Sequence, residues 1–309
     1  MKMGCRRFFS NRTLPRLAGV AALSMPLLLT GCSLFPTTRK LPVPKAPSLE
    51  QTIAPEDLVA RLNKRWAAVN TLTAKVEFRA SKSKSKEGVA TDYPSVEGFI
   101  LMRKPQSLRV YGKMIVPVFD MASDGKCFTL LIPHNNVAMK GCGPSKKKSL
   151  NTWENLRPEF FFDAMLVRGI DPQNPDDRYS VTSETMMVED AAKKHLFSVP
   201  EYILHVTRAK AGDQKEKTLR DIHFHRDDLM PYQQDIYDDD GNLETQVTYL
   251  GYKDFDGNQY PGIVSIKRPI EEITIVLSVD RVIENQNPPL PDDQFNVPIP
   301  EGTKIQNVD

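Results

Sequence analysis

The sequence carries none of the short signatures that announce an enzyme. It has no G-x-S-x-G elbow, no Walker sequence, no G-x-G-x-x-G and no Cys-His pairing in a helical or elbow context. Nucleophilic hydrolysis, P-loop chemistry and dinucleotide binding therefore find no anchor in it. No enzymatic activity, cofactor or metal is expected. Charge of one sign is also missing, because 41 Lys+Arg stand against 39 Asp+Glu. A balanced chain has no field for nucleic acid. Past the first 31 residues no apolar run approaches the roughly 20 residues of a spanning helix. Cysteine is scarce, with four in 309 residues.

What is present begins at the N-terminus. Lys2, Arg6, Arg7, Arg12 and Arg16, with no acid among them, precede "LAGVAALSMPLLLT", an apolar run that is short and broken by Pro26. That is the layout of a secretory signal. It ends in "LLLTGCS", and this Leu-x-Gly-Cys pattern resembles a bacterial lipobox, which implies cleavage after residue 31 and lipidation of Cys32. Losing residues 1–31 removes five bases and no acid, leaving 36 Lys+Arg against 39 Asp+Glu over about 278 residues. The mature chain is slightly acidic. Residues 32–54, with prolines at 36, 42, 44 and 47, read as an extended tether that could span roughly 60 Å.

Residues 55–309 read as one β-rich domain. "PEDLVARLNKRWAAVN" sets Pro55 in a first helical turn, Glu56 and Asp57 at the positive end of the dipole, and Leu58, Leu62, Trp66 and Val69 on one stripe. From Leu72 the apolar residues alternate at period two through Phe78. Further strands are predicted near 94–103, 107–114, 117–123, 126–133, 136–142, 178–187, 200–209, 216–226, 232–238, 243–252, 261–268 and 272–284. "SDGK", "DDDGNL" and "DFDGNQ" supply hairpin turns, so the sheet should be antiparallel. A second helix is expected mid-chain, starting at Pro158 and Glu159. "SKSKSKEG", Ser81 to Gly88, reads as a solvated hairpin loop.

One helix, six or seven meandering strands, a helix and more strands is the element order of the LolA/LolB type of periplasmic lipoprotein-localisation carriers and acceptors. "VEGFILMRKPQSLRVYG", "FDMASDGKCFTLLIPHNN" and the closing "VIENQNPPLPDDQFNVPIPEG" resemble phrases of that superfamily. The resemblance runs from about Pro55 to Val308. It implies an unclosed antiparallel β-barrel, about 11–13 strands here, with helices lining or lidding a hydrophobic cavity for lipoprotein acyl chains. With the lipobox and the tether, it points to a lipid-anchored acceptor or carrier at the periplasmic face of the outer membrane, the tether favouring an acceptor over a shuttle, expected as a monomer with a periplasmic carrier protein as a possible partner. Ser33 after the lipidated Cys fits outer-membrane sorting. An envelope sensor of the same fold and a generic lipid carrier are the alternatives.

In the soluble carriers an Arg before Pro and a Phe four residues on are implicated in lid gating. "RKPQSL" places Lys104 and Leu108 there, so both are changed, and Lys lacks the planar fork of Arg. Lys104 is expected to act as a surface charge. Lys104, Leu108 and Trp66 are the cavity and lid candidates. In the anchored acceptors the next hairpin carries a loop that meets the bilayer; here it is "GKMIVP", with Met114, Ile115 and Val116 at the tip. Two readings stay open, a membrane-contact loop beside the cavity mouth or the last core residues of two strands.

His223 and His225 of "HFH" fall on one face of a predicted strand at a metal-compatible spacing, but no third ligand is apparent, and packed or solvated histidines are the better reading. Cys127 and Cys142 remain once Cys5 leaves with the signal and Cys32 is lipidated. They lie equidistant from the turn "PHNN" and would face each other across a hairpin, so a disulfide is expected.

Overall fold

The computed structural model describes residues 50–84, 87–143, 157–171, 173, 174, 176–189, 196–209 and 216–308, all within a unit spanning Pro42–Asp309. The signal segment, Cys32 and the tether up to residue 49 lie outside the described residues. Helix α1 (Pro55–Ala68) leads into β1 (Thr71–Lys84), β2 (Val89–Asp92), β3 (Val96–Arg103), β4 (Ser107–Lys113), β5 (Pro117–Ser123), β6 (Cys127–Ile132) and β7 (Val137–Cys142). After α2 (Pro158–Met165) come β8 (Asp177–Glu189), β9 (Leu196–Arg208), β10 (Lys217–His225), β11 (Pro231–Tyr237), β12 (Leu243–Phe255), β13 (Asn258–Arg268) and β14 (Ile273–Glu284). A last strand, β15 (Lys304–Asn307), follows a long strap.

All fifteen strands belong to one open sheet, ordered β15-β7-β6-β5-β4-β3-β1-β14-β13-β12-β11-β10-β9-β8, with β2 paired to β1. Every pairing is antiparallel except β15 on β7. Two meanders therefore meet at a central seam, where β1 pairs β14 from Leu72↔Glu284 to Lys82↔Ile273. The two strands beyond the thirteen predicted, β2 and β15, are four residues each, too short to show a period. β2 also corrects the loop expected at Ser81–Gly88: β1 runs on to Lys84, and Ser81↔Asp92 to Lys84↔Val89 are in register.

Alternation decides the two faces. On β3, Val96, Gly98, Ile100 and Met102 are buried while Glu97 and Phe99 are exposed. On β1, Leu72, Ala74, Val76 and Phe78 point into the same core. Two facing glycines are required by close packing on that face. Gly98 lies opposite Gly112, and a Cβ on Gly98 would sit 1.9 Å from the Tyr111 carbonyl oxygen. One on Gly112 would sit 2.5 Å from the Phe119 ring, which packs edge-on against Phe78 with centroids 5.4 Å apart.

Helix α2 packs on the buried face of the sheet. Its sequence PEFFFDAM is apolar nearly all round, and Phe160, Phe161, Phe162, Ala164 and Met165 are buried against β4, β5 and β13. Its last carbonyls are met by strand side chains: Gln234 Nε2 donates to Asp163 O at 3.2 Å and Tyr260 Oη to Met165 O at 2.6 Å. The strap after β14 crosses the opposite, outer face. There Arg103 donates to Leu290 O at 3.0 Å and stacks 4.7 Å over the Phe295 ring, and Arg109 reaches Gln294 O at 3.2 Å.

Candidate functional site

Helix α1 lies across one end of the sheet, the end that carries the β3–β4, β10–β11 and β12–β13 turns. At its start, the Gln51 N–H donates to Arg226 O at 2.7 Å and Gln51 Nε2 to Asp227 O at 2.6 Å. At its finish, Asn285 Nδ2 donates to Ala68 O at 2.7 Å, and the Lys104 ammonium donates to Trp66 O while sitting 4.0 Å over the Trp66 ring. A cation on the last carbonyls of a helix complements both the unpaired groups and the dipole. Burial and the nearby Arg65 charge hold the Lys104 pKa below its usual value. Between the two ends, Arg65 makes a bidentate pair with Glu284, one arm at 2.7 Å, and this bond raises the Arg65 pKa against the opposing effect of burial. Asn63 ties α1 to the segment after α2 by bonds of 2.8 Å and 2.7 Å to Ile170.

Beneath α1 is a cavity of about 380 Å3. Its wall is mostly apolar and aromatic: Leu58 and Leu62 from α1, Met165 to Val167 from the end of α2, Phe224 from β10, Leu229 and Met230 from the β10–β11 turn, and Tyr249, Tyr252 and Tyr260 from β12 and β13. Tyr252 Oη donates to Pro231 O at 2.7 Å. The Tyr249 hydroxyl is buried and meets no partner among the described residues. Burial raises the pKa of all three tyrosines, so each is a neutral donor.

The lid and cavity candidates lie elsewhere. Lys104 fastens the end of α1, where a free surface charge was expected; it is drawn there by the helix carbonyl. Trp66 packs edge-on against Phe162 of α2, with centroids 6.4 Å apart. Leu108 is fully buried in the sheet core, opposite Met102 and Ser123. None of the three lines the cavity. The residues that do line it include "LMP" of the β10–β11 turn and Tyr249, Tyr252 and Tyr260. The sequence signal for them was the run of tyrosines on two adjacent strands, which reads equally well as ordinary strand composition.

Met114, Ile115 and Val116 are 56%, 100% and 65% exposed at the β4–β5 turn, so they are not the last residues of the core. They are also not beside the cavity. β4 runs from Ser107, paired with Arg103 at the α1 end, to Lys113, paired with Glu97 at the other. The tip and the cavity occupy opposite ends of the sheet.

The paired histidines face outward on β10. His223 Nδ1 is 2.9 Å from Glu201 Oε2 and its Nε2 is 3.7 Å from Asp235, while His225 stacks on Tyr232 at 4.1 Å. Among the described residues no group of three or more His, Cys, Asp or Glu is placed to hold a metal. Cys127 and Cys142 lie directly opposite in the β6–β7 register and are joined by a disulfide.

The likeness of this arrangement to solved structures is partial. A DUF1329 family protein from Desulfovibrio piger superposes with a TM-score of 0.50 at 15% identity, covering 78% of this chain and 95% of that one. What is shared is the fold. A LolA superfamily protein from Nitrosomonas europaea gives a TM-score of 0.48 at 11% identity, covering 80% of this chain and 99% of that one. No protein-family model matches the chain, and no curated protein does.

Proposed function

We propose that this protein is a lipid-anchored carrier or acceptor at the periplasmic face of the outer membrane, which shelters an acyl chain of a lipoprotein and passes it on without catalysis. The observation that carries the reading is the apolar cavity of about 380 Å3 beneath a helix that is tied to the rest of the fold by polar contacts at both ends as well as by its buried Leu58, Val59 and Leu62. An acyl chain in water costs about 0.8 kcal/mol per methylene, on the order of 10 kcal/mol in all. A mostly apolar wall lowers that cost. The phrases resembling the LolA/LolB superfamily point to the same class of cargo, and the "LLLTGCS" stretch points to an anchor. Cys32 supplies the anchor, and the exposed Met114–Val116 tip is a second element that touches lipid.

The test uses a Cys32→Ala variant exported to the periplasm. It should appear in the soluble fraction, and native mass spectrometry should find acylated species bound to it. Retention in the membrane fraction would show that another element holds the chain. A bare mass, even after incubation with acylated peptide, would remove the carrier reading.

A further inference from the structure

The cavity under α1 is small for a lipoprotein's full set of chains. A pocket of roughly 150 Å3 accommodates one six-carbon ring. On that scale about 380 Å3 takes on the order of fifteen carbons, a single chain. Size therefore selects the ligand before any polar group does.

The polar groups of the wall then differ in what they have left to offer. The Arg65 guanidinium is held by Glu284, the Tyr252 hydroxyl by Pro231 O and the Tyr260 hydroxyl by Met165 O. The Asp228 carboxylate in the neighbouring turn is bent back onto its own loop and accepts from Met230 N at 2.8 Å. Arg61 is in a different position. It lines the cavity from the exposed side of α1, its guanidinium makes one bond of 3.3 Å to the main-chain oxygen of Asp228, and no carboxylate among the described residues pairs with it. A guanidinium at the rim of an apolar opening presents a planar fork to a carboxylate or phosphate. Tyr249 also lines the wall, but its hydroxyl is itself buried, so Arg61 alone is left to meet a polar end.

Building on the lipid-carrier reading, we infer that the cavity takes a single-chain amphiphile with an anionic end, its chain against Leu58, Leu62, Phe224, Leu229 and Tyr260 and its carboxylate or phosphate at Arg61. A free fatty acid and a single-chain phospholipid share this chemistry.

Binding to the full Cys32→Ala chain is measured by calorimetry with palmitate, palmitoyl lysophosphatidate, hexadecanol and dipalmitoyl phosphatidate. An anionic single-chain ligand should bind about ten-fold or more tightly than hexadecanol, since a charge-assisted contact is worth roughly that factor. The two-chain lipid should bind more weakly than its single-chain counterpart. Arg61→Gln, on an exposed helix face, should abolish the preference for the anion and leave hexadecanol binding unchanged. Tighter binding of palmitate would assign a free acid, and tighter binding of lysophosphatidate a lipid headgroup. Equal binding of hexadecanol and palmitate, equal binding of one- and two-chain lipids, or an Arg61→Gln loss common to all ligands would each overturn the inference with the carrier reading intact. If no ligand binds, both fall.

Discussion

At the scale of single residues, exposure separates two kinds of apolar side chain that look alike in sequence. Ile115, at the β4–β5 turn, is wholly exposed, whereas Ile100, in the middle of β3, is wholly buried. Changing Met114 and Ile115 together to Glu should therefore shift the urea midpoint little, within the roughly ±0.5 kcal/mol usual for surface changes. The same pair should weaken binding of the protein to lipid vesicles, measured by flotation; unchanged flotation would deny the tip its contact role. His223 makes a different argument. Burial pulls its pKa down, but the contacts with Asp235 and Glu201 pull it up further, and the net direction is upward. The folded chain then holds this proton more tightly than the unfolded one. The resulting stability is present in full below the ordinary histidine value of about 6.5 and is lost as pH rises through the elevated folded value. Urea midpoints measured from about pH 6 to about pH 8 should fall more for the parent chain than for His223→Gln. Equal slopes would place the dependence elsewhere.

At the scale of elements, the disulfide gives the most direct measurement. Cys127 and Cys142 close a short loop across β6 and β7, 15 positions apart in sequence, and a loop of that size contributes about 3 kcal/mol. The double Cys→Ser variant should lose about that much in urea unfolding, and intact mass should rise by two hydrogens on reduction of the parent. How far the elements were legible follows from their local physics. The start of α1 was readable because Pro55, Glu56 and Asp57 mark it and Leu58 and Leu62 repeat at helical spacing. Helix α2 was readable from Pro158 and the aromatic run behind it, and the hairpins from their Asp-Gly turns. β2 and β15 were not, because their burial pattern is mostly exposed and long-range pairing alone makes them strands. The cavity was hidden for a similar reason. Its wall is assembled from four separate segments, and the fastening of α1 by Lys104 and Asn285 depends on residues 38 and 217 positions from their acceptors.

At the scale of the whole molecule, the sheet has two different edges. On one side β15 and the strap residues cover β7, Val308 N donates to Lys140 O at 2.9 Å, and Arg157 holds Val308 O at 2.9 Å. On the other, β8 pairs with β9 along its length and with no other strand among the described residues. Side chains of β8 are mostly exposed or half-buried, in contrast to the fully buried rows of β1, β13 and β14. Amide hydrogen exchange should accordingly be slowest in the central seam and fastest along β8, with β9 and β10 intermediate. Uniform protection from β14 to β8 would mean that the second meander opens as one unit with the seam.

The central seam also sets an order of events in time. Among the described residues β1 is the first strand and its partner β14 the last long one, with some two hundred residues between Leu72 and Glu284. While a nascent chain is still emerging, the β3–β7 hairpins can close from local contacts, but β1 has one side unoccupied until Ile273 to Glu284 arrive. Distant pairings of this kind fold slowly and leave a sticky margin exposed meanwhile. A chain that ends between β7 and residue 273 thus yields a half-sheet with its middle laid open, prone to pair with other copies like itself.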